Sequence, residues 1–220
     1  MAGSTVTAMA EMTHRPPGRP RSIDVDAARP ADSIYTATTG LLEHTAFSEI
    51  SVAQILTAAG VSRATFYFYF SSKFSVLAGL LKQAMDDIFE TVQPFLARPA
   101  DTSPEAGLER SIRAAAGAWH RHRAVLQAVN HHWHTDPELR ELWLGIADRF
   151  IAAGALEIAR ERAAGAVTSP GDDRALAATL FWGTERVLHI AGLGIESTLP
   201  DEEAAVGPLI ALWHGTLYGQ

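Results

Sequence analysis

Residues 51–73, "SVAQILTAAGVSRATFYFYFSSK", constrain the fold of this chain more than any other stretch. Ser51 and Gln54 have the S-x-x-Q spacing of a capping box, in which each side chain satisfies a backbone N–H of the other residue. The helix they open puts Val52, Ile55 and Leu56 on one face. Gly60, in "AAGV", is placed for a positive-φ turn, and Ser62 caps the next helix. An earlier helix begins near Ala31, where Ile34, Ala37, Thr38, Leu41 and Leu42 follow the i, i+3, i+4, i+7, i+8 pattern of a buried face. Helix, short capped helix, glycine turn, short capped helix is the order of a helix-turn-helix, which presents its second short helix to the major groove of DNA.

The residues of that second helix suit the task. Arg63 sits in its first turn, where side chains reach base edges, and an arginine pairs two donors with guanine O6 and N7. Thr65, Tyr67 and Tyr69 carry hydroxyls for phosphates, and Lys73 carries a cation. The helix N-termini at Ser51 and Ser62 add N–H groups for phosphate contacts. Five aromatics run from Phe66 to Phe70. Phe66 and Phe70 read as core pins and Phe68 suits either side. Tyr67 and Tyr69 read as DNA-facing, because a tyrosine between core phenylalanines needs an outlet for its hydroxyl.

The run from "ISVAQILTAAGVSRATFYFYFSSK" through "FSVLAGLL" resembles the TetR family of transcriptional repressors, most closely at the glycine turn, "TFYFYF" and "SK". By that resemblance the base-reading positions are Arg63, Ala64 and Tyr67, and the phosphate positions are Ser51, Thr65, Tyr69 and Lys73. Phe74 departs from the pattern, standing where many members carry an acid. The family implies an all-α chain: a three-helix DNA-binding head over residues 27–75, then a larger domain over 76–220. That domain forms a homodimer through its last two helices and holds a small-molecule pocket.

The charge distribution fits this division. The net charge is −7, yet residues 1–75 hold six Lys/Arg and six Asp/Glu, so the whole acidic excess lies beyond residue 75. An acidic body stays off a polyanion while a neutral head with clustered cations meets it. Residues 1–26 read as a disordered arm, with Arg19 and Arg21 in the proline-stiffened "RPPGRPR". Such an arm either enters the minor groove or remains a solvated tail. There is no secretory h-region and no span-length apolar run, and the absence of cysteine fits a cytoplasmic protein that does not engage a membrane.

Beyond the motif, capping signals mark further helices. One runs from Ser71 or Ser72 to about Ala97, with Pro94 late in it. A helix or two follow Ser103-Pro104-Glu105, and a long one follows Asp136-Pro137-Glu138. Two more are expected, from Asp172 to about Gly194 and in the final "LPDEEAAVGPLIALWHGTLYG". The expectation is about nine helices and no strand.

"HRAV", "ELW", "ERAAGA", Glu185-Arg186 and the closing "W…LYG" further resemble the mycobacterial ethionamide-response branch of the TetR family, whose effector pocket is long and apolar. That resemblance implies Trp119, Trp143, Phe150 and Phe181 as pocket walls. It assigns hydrogen bonds to Thr184 and His189, and makes Trp213 close one end. Plain core is the competing role for each of them. The implied effector is apolar and elongated, with one carbonyl or hydroxyl.

Five of the nine histidines fall between 120 and 134. His131 and His134 have an i, i+3 spacing that can ligate a metal, but no thiolate is present and Asp136 is the one acid close by, so a polar helix end is the preferred reading. There is no G-x-S-x-G, H-E-x-x-H or phosphate loop, which argues against an enzyme and a cofactor, and Glu185-Arg186 reads as an ion pair. Two alternatives stand beside a ligand-responsive repressor. One is a helical binding protein or enzyme with a vestigial head, and the other is a metal-responsive regulator.

Overall fold

The computed structural model describes residues 29–219. Among these there are ten helices and no strand, apart from one isolated bridge between Glu196 and Leu199. They are α1 (Pro30–Leu42), α2 (Val52–Ala59), α3 (Arg63–Tyr69), α4 (Lys73–Thr91), α5 (Gln93–Leu96), α6 (Pro104–Arg121), α7 (Arg123–His132), α8 (Pro137–Ala163), α9 (Asp173–Leu193) and α10 (Glu202–Leu217).

Most helix starts follow from local chemistry. The side chains of Ser51, Ser62, Ser72, Ser103, Asp136, Asp172 and Asp201 each accept a backbone N–H three residues on. Pro30, Pro104 and Pro137 occupy first-turn positions where a missing N–H costs nothing. Gly60 ends α2 at φ 65°, in the left-handed conformation the turn requires.

The helix expected to reach Ala97 stops at Thr91. Pro94 has no N–H to continue the ladder and its ring would meet the carbonyl of Glu90, so the chain restarts as the single turn α5. The segment after Ser103 divides at His122, which has non-helical φ and ψ of −101° and 10°. Its ring nitrogen Nε2 lies 2.9 Å from Asp87 on α4.

α4 is the spine. It packs on α1 at one end and on α6, α7 and α8 along its length. Its buried side chains, from Val76 and Leu77 to Met85 and Ile88, belong to a core that continues from Ile34, Ile55 and Phe66 into the C-terminal helices. α10 packs against α6 and α9, and α8 packs along α9. Arg123 and Glu202 join the start of α7 to the start of α10, with Arg123 Nε donating to Glu202 Oε1 at 2.7 Å and a second guanidinium nitrogen donating to Oε2. At the chain's end the Tyr218 hydroxyl donates to Glu161 of α8 at 2.8 Å. No helix among the described residues is long and apolar enough to cross a membrane.

Candidate functional site

The second short helix shows two faces. Phe66 is fully buried and Phe70 nearly so, with Phe70 meeting the edge of Tyr35 at 5.2 Å. Ala64 and Phe68, two residues to either side of Phe66, lie on the opposite side of a 3.6-residue helix. Arg63 and Ala64 are exposed, Tyr67 and Tyr69 are about half exposed, and Phe68 is 81% exposed, so the outward side of α3 is open. Phe68, which the sequence left undecided, therefore belongs to that surface.

The two caps are engaged in holding the helices. Ser51 completes its box with Gln54, and Ser62 Oγ accepts from the Thr65 N–H at 3.0 Å and lies 2.8 Å from the Thr65 hydroxyl. Thr65 is thus half-buried and tied to its cap, while the surfaces at Ser51 and Ser62 stay exposed.

Lys73 departs from expectation. Its ammonium donates to the carbonyls of Phe47 at 2.8 Å, Ser48 at 3.1 Å and Ile50 at 2.7 Å, and stands over the Phe47 ring. An ammonium has three donors, so all are taken inside the fold. Lys73 fastens the α1–α2 loop and is not a free cation for phosphate. Arg19 and Arg21 lie outside the described residues.

In the C-terminal part, α4, α5, α6, α8, α9 and α10 line a cavity of about 110 Å³. Met85, Ile88, Phe95, Leu108, Ile112 and Leu188 supply much of its apolar wall, and Gly154 lies in the same wall, where a Cβ would come 3.5 Å from the Ala177 Cβ. Trp119, Phe150, Phe181, Thr184 and Trp213 also line it. Trp213 Nε1 donates to the Thr184 hydroxyl at 2.9 Å, which clamps α10 to α9 at the wall.

Two expected wall residues are elsewhere. Trp143 is 1% exposed and packs behind the cavity against Phe181 and Trp182. His189 faces a separate cleft, formed by α7 and residues 42–48, and its buried Nδ1 has no hydrogen-bond partner among the described residues.

The three-helix arrangement and the apolar cavity coincide with two family descriptions. Residues 34–80 match the bacterial regulatory proteins of the tetR family, and residues 108–219 match the C-terminal domain of the transcriptional regulator EthR. The HTH-type transcriptional regulator EthR of Mycobacterium tuberculosis is 31% identical over 210 residues, covering 94% of this chain and 92% of that protein. This chain belongs to the TetR family. It is a TetR-type transcriptional regulator with an EthR-type C-terminal domain, and not an enzyme. EthR of Mycolicibacterium smegmatis is 35% identical over 216 residues, covering 96% of this chain and 95% of its own. Two solved structures share the fold at low identity. The fatty acid degradation regulator FadR from Bacillus halodurans has a TM-score of 0.72 at 19% identity, covering 89% of this chain and all of its own. A tetR-family regulatory protein from Rhodococcus RHA1 has a TM-score of 0.69 at 14% identity, covering 87% and 98%.

Two features of this chain depart from the sequence expectation. The first is the histidine cluster, which structure distributes among contacts. His120 and Arg123 meet Glu202, His122 meets Asp87, and His132 lies edge-on to Phe47 and Phe74 where α7 reaches the N-terminal helices. Burial, with His131 and Lys73 nearby, pulls the His132 pKa down and favours its neutral form. Among the described residues no three His, Cys, Asp or Glu side chains are grouped to hold a metal.

The second feature is Glu185. The sequence paired it with Arg186, but that guanidinium stands 4.0 Å away, beyond hydrogen-bond reach. Glu185 is 3% exposed, lies in the cavity wall and accepts from Asn130 Nδ2 of α7 at 2.9 Å. Burial raises its pKa, and Asn130 and Arg186 offset that only in part. No sequence signal separated this wall residue from an ordinary ion pair, because the cavity is assembled from six helices.

Proposed function

We propose that this TetR-family chain is a cytoplasmic homodimeric repressor that reads a palindromic operator through residues 62–69 and releases it when an apolar effector occupies the C-terminal cavity. The observation that carries the reading is the two-faced α3, with Phe66 and Phe70 buried and Arg63, Ala64, Tyr67, Phe68 and Tyr69 outward. In this reading residues 27–75 bind DNA and residues 76–220 bind effector and dimerise. Gly207, Pro208, Ala211, Leu212 and Gly215 give α10 an exposed face of small and apolar side chains beside α9, which suits close approach of a second copy. Two heads then enter major grooves about one helical turn, or a multiple, apart.

The cavity is far smaller than the roughly 300–1,000 Å³ typical of ligand pockets. An effector therefore binds best to a conformation with a wider cavity, and it shifts the population toward heads spaced wrongly for the operator. The test is a gel shift against DNA upstream of the protein's own gene, at several salt concentrations. A sequence-specific shift that weakens steeply with salt is expected. Arg63→Ala should cost about 1–3 kcal/mol and relax one base position. An unchanged affinity and specificity in that variant would remove α3 as the reading helix.

A further inference from the structure

Six helices line the cavity, and its wall contains one ionisable side chain, Glu185. The hydroxyls of the wall and the Trp213 N–H have partners within the fold. Ser111 donates to the Val92 carbonyl at 3.2 Å, and the Thr184 hydroxyl holds Trp213. Glu185 has one hydrogen bond among the described residues, from Asn130 to Oε1. Oε2 has none, and its nearest cation is Arg186 at 4.0 Å, a side chain that is more than half exposed. A carboxylate in an apolar enclosure with a single neutral donor is poorly compensated, and placing a charge there costs several kcal/mol unless it is paired.

We propose that the effector of this regulator is an apolar molecule bearing a cationic amine, with the amine seated on Glu185 and the hydrocarbon part against Phe150, Phe181, Trp119 and Leu188. The inference rests on the reading of this cavity as the effector site and names the ligand class that site takes. An ammonium supplies the charge and the hydrogen bonds that Oε2 lacks. An alcohol or ester supplies no charge and leaves the carboxylate without a cationic partner. The apolar wall rejects ligands with more than one strongly hydrated group. Selectivity follows from the position of the single charge and not from cavity size, which must expand for any effector of this class.

The two chemistries have opposite proton signatures. Burial raises the Glu185 pKa, and an ammonium placed on Oε2 would lower it. Docking an ammonium ionises Glu185 and releases a proton, and amine affinity rises with pH. Docking a neutral carbonyl compound keeps the proton, and affinity falls with pH. Among the described residues the nearest cation to Glu185 is Arg186 on its own helix, α7 presents the neutral Asn130, and the titratable His189, one turn further along α9, lines the separate cleft.

The experiment uses the full-length protein with octylamine and octan-1-ol, by calorimetry in two buffers of different ionisation enthalpy. Expected are tighter binding of octylamine, proton release with it alone, and an E185Q variant that loses about tenfold or more for octylamine while octanol changes by less than about threefold. Gln at 185 retains an oxygen for Asn130, so the fold should persist, and the wild-type proton release is an independent readout if it does not. Octanol binding as tightly as octylamine with no proton release would overturn the ligand class and leave the cavity as effector site. Binding of neither compound would overturn the effector-site reading and this inference with it.

Discussion

Replacing Lys73 with methionine separates two roles that the sequence alone assigns to the same residue. In the fold the ammonium gives its three donors to the carbonyls of Phe47, Ser48 and Ile50, at 2.7 to 3.1 Å. Hydrogen bonds to a charged group contribute roughly 1.5–3 kcal/mol each. The three share one donor atom and are not additive, and water can reach the Ser48 carbonyl once the amine is gone. Methionine keeps most of the aliphatic stem but loses the contact over the Phe47 ring. Together these place the loss at about 2–4 kcal/mol of stability in the N-terminal helices. Urea unfolding followed by far-UV circular dichroism measures that loss. Operator affinity measured from low to moderate salt supplies the second readout. A lost phosphate contact lowers the slope of log K against log salt by about 0.9 per site, or about 1.8 for a dimer. A structural Lys73 leaves the slope unchanged once the folded fraction is accounted for. A variant of unaltered stability with a slope shallower by nearly two would refute the structural role and restore the phosphate contact.

Phe68 is exposed on the same side of α3 as Ala64, and an apolar side chain in a major groove can contact a thymine methyl. Phe68→Ala should therefore weaken operator binding by about 1–2 kcal/mol and abolish sensitivity to one thymine-to-uracil replacement per half-site, whereas equal sensitivity in both proteins would exclude the contact. Glu202 is buried, and although burial would raise its pKa, Arg123 and His120 hold it below the usual carboxylate range. Its stabilisation is present above the unfolded carboxyl pKa and is lost as pH falls through the lower folded value. Glu202→Gln should cost about 2–4 kcal/mol at neutral pH and flatten that acid limb, as thermal melts between pH 3 and 7 (about the range of interest) would read. Glu185 has the opposite sign. Its folded pKa is raised, so stability falls as pH climbs from the unfolded carboxyl pKa through the folded one, and Glu185→Gln should remove that decline and melt higher at neutral pH.

Legibility from sequence tracked the range of the interactions involved. The capping box at Ser51–Gln54, the cap at Ser62 and the left-handed Gly60 were readable because each joins residues two to four apart, whatever surrounds them. Phe66 and Phe70 could be assigned inward because their four-residue spacing places both on one face of a helix and its end. The split at Pro94 was missed although its cause is local, since the apolar pattern continues through the proline and outweighed it. Trp143 was placed on the cavity and lies behind it, because a long amphipathic helix shows which side is buried but not which neighbour it is buried against.

By itself, the sequence determined that the chain is all helical, that a short reading helix follows a glycine turn, and that its aromatic run is divided between a buried and an open face. Those features depend on spacing, capping and backbone sterics within a few residues. Only the tertiary structure decided that Lys73 is held by a loop 23 to 26 residues earlier, that Glu185 meets Asn130 and not Arg186, and that His189 leaves the cavity. Each of those outcomes is a contest among partners brought together from distant helices, and a charged or aromatic side chain takes the partner that packing places within reach.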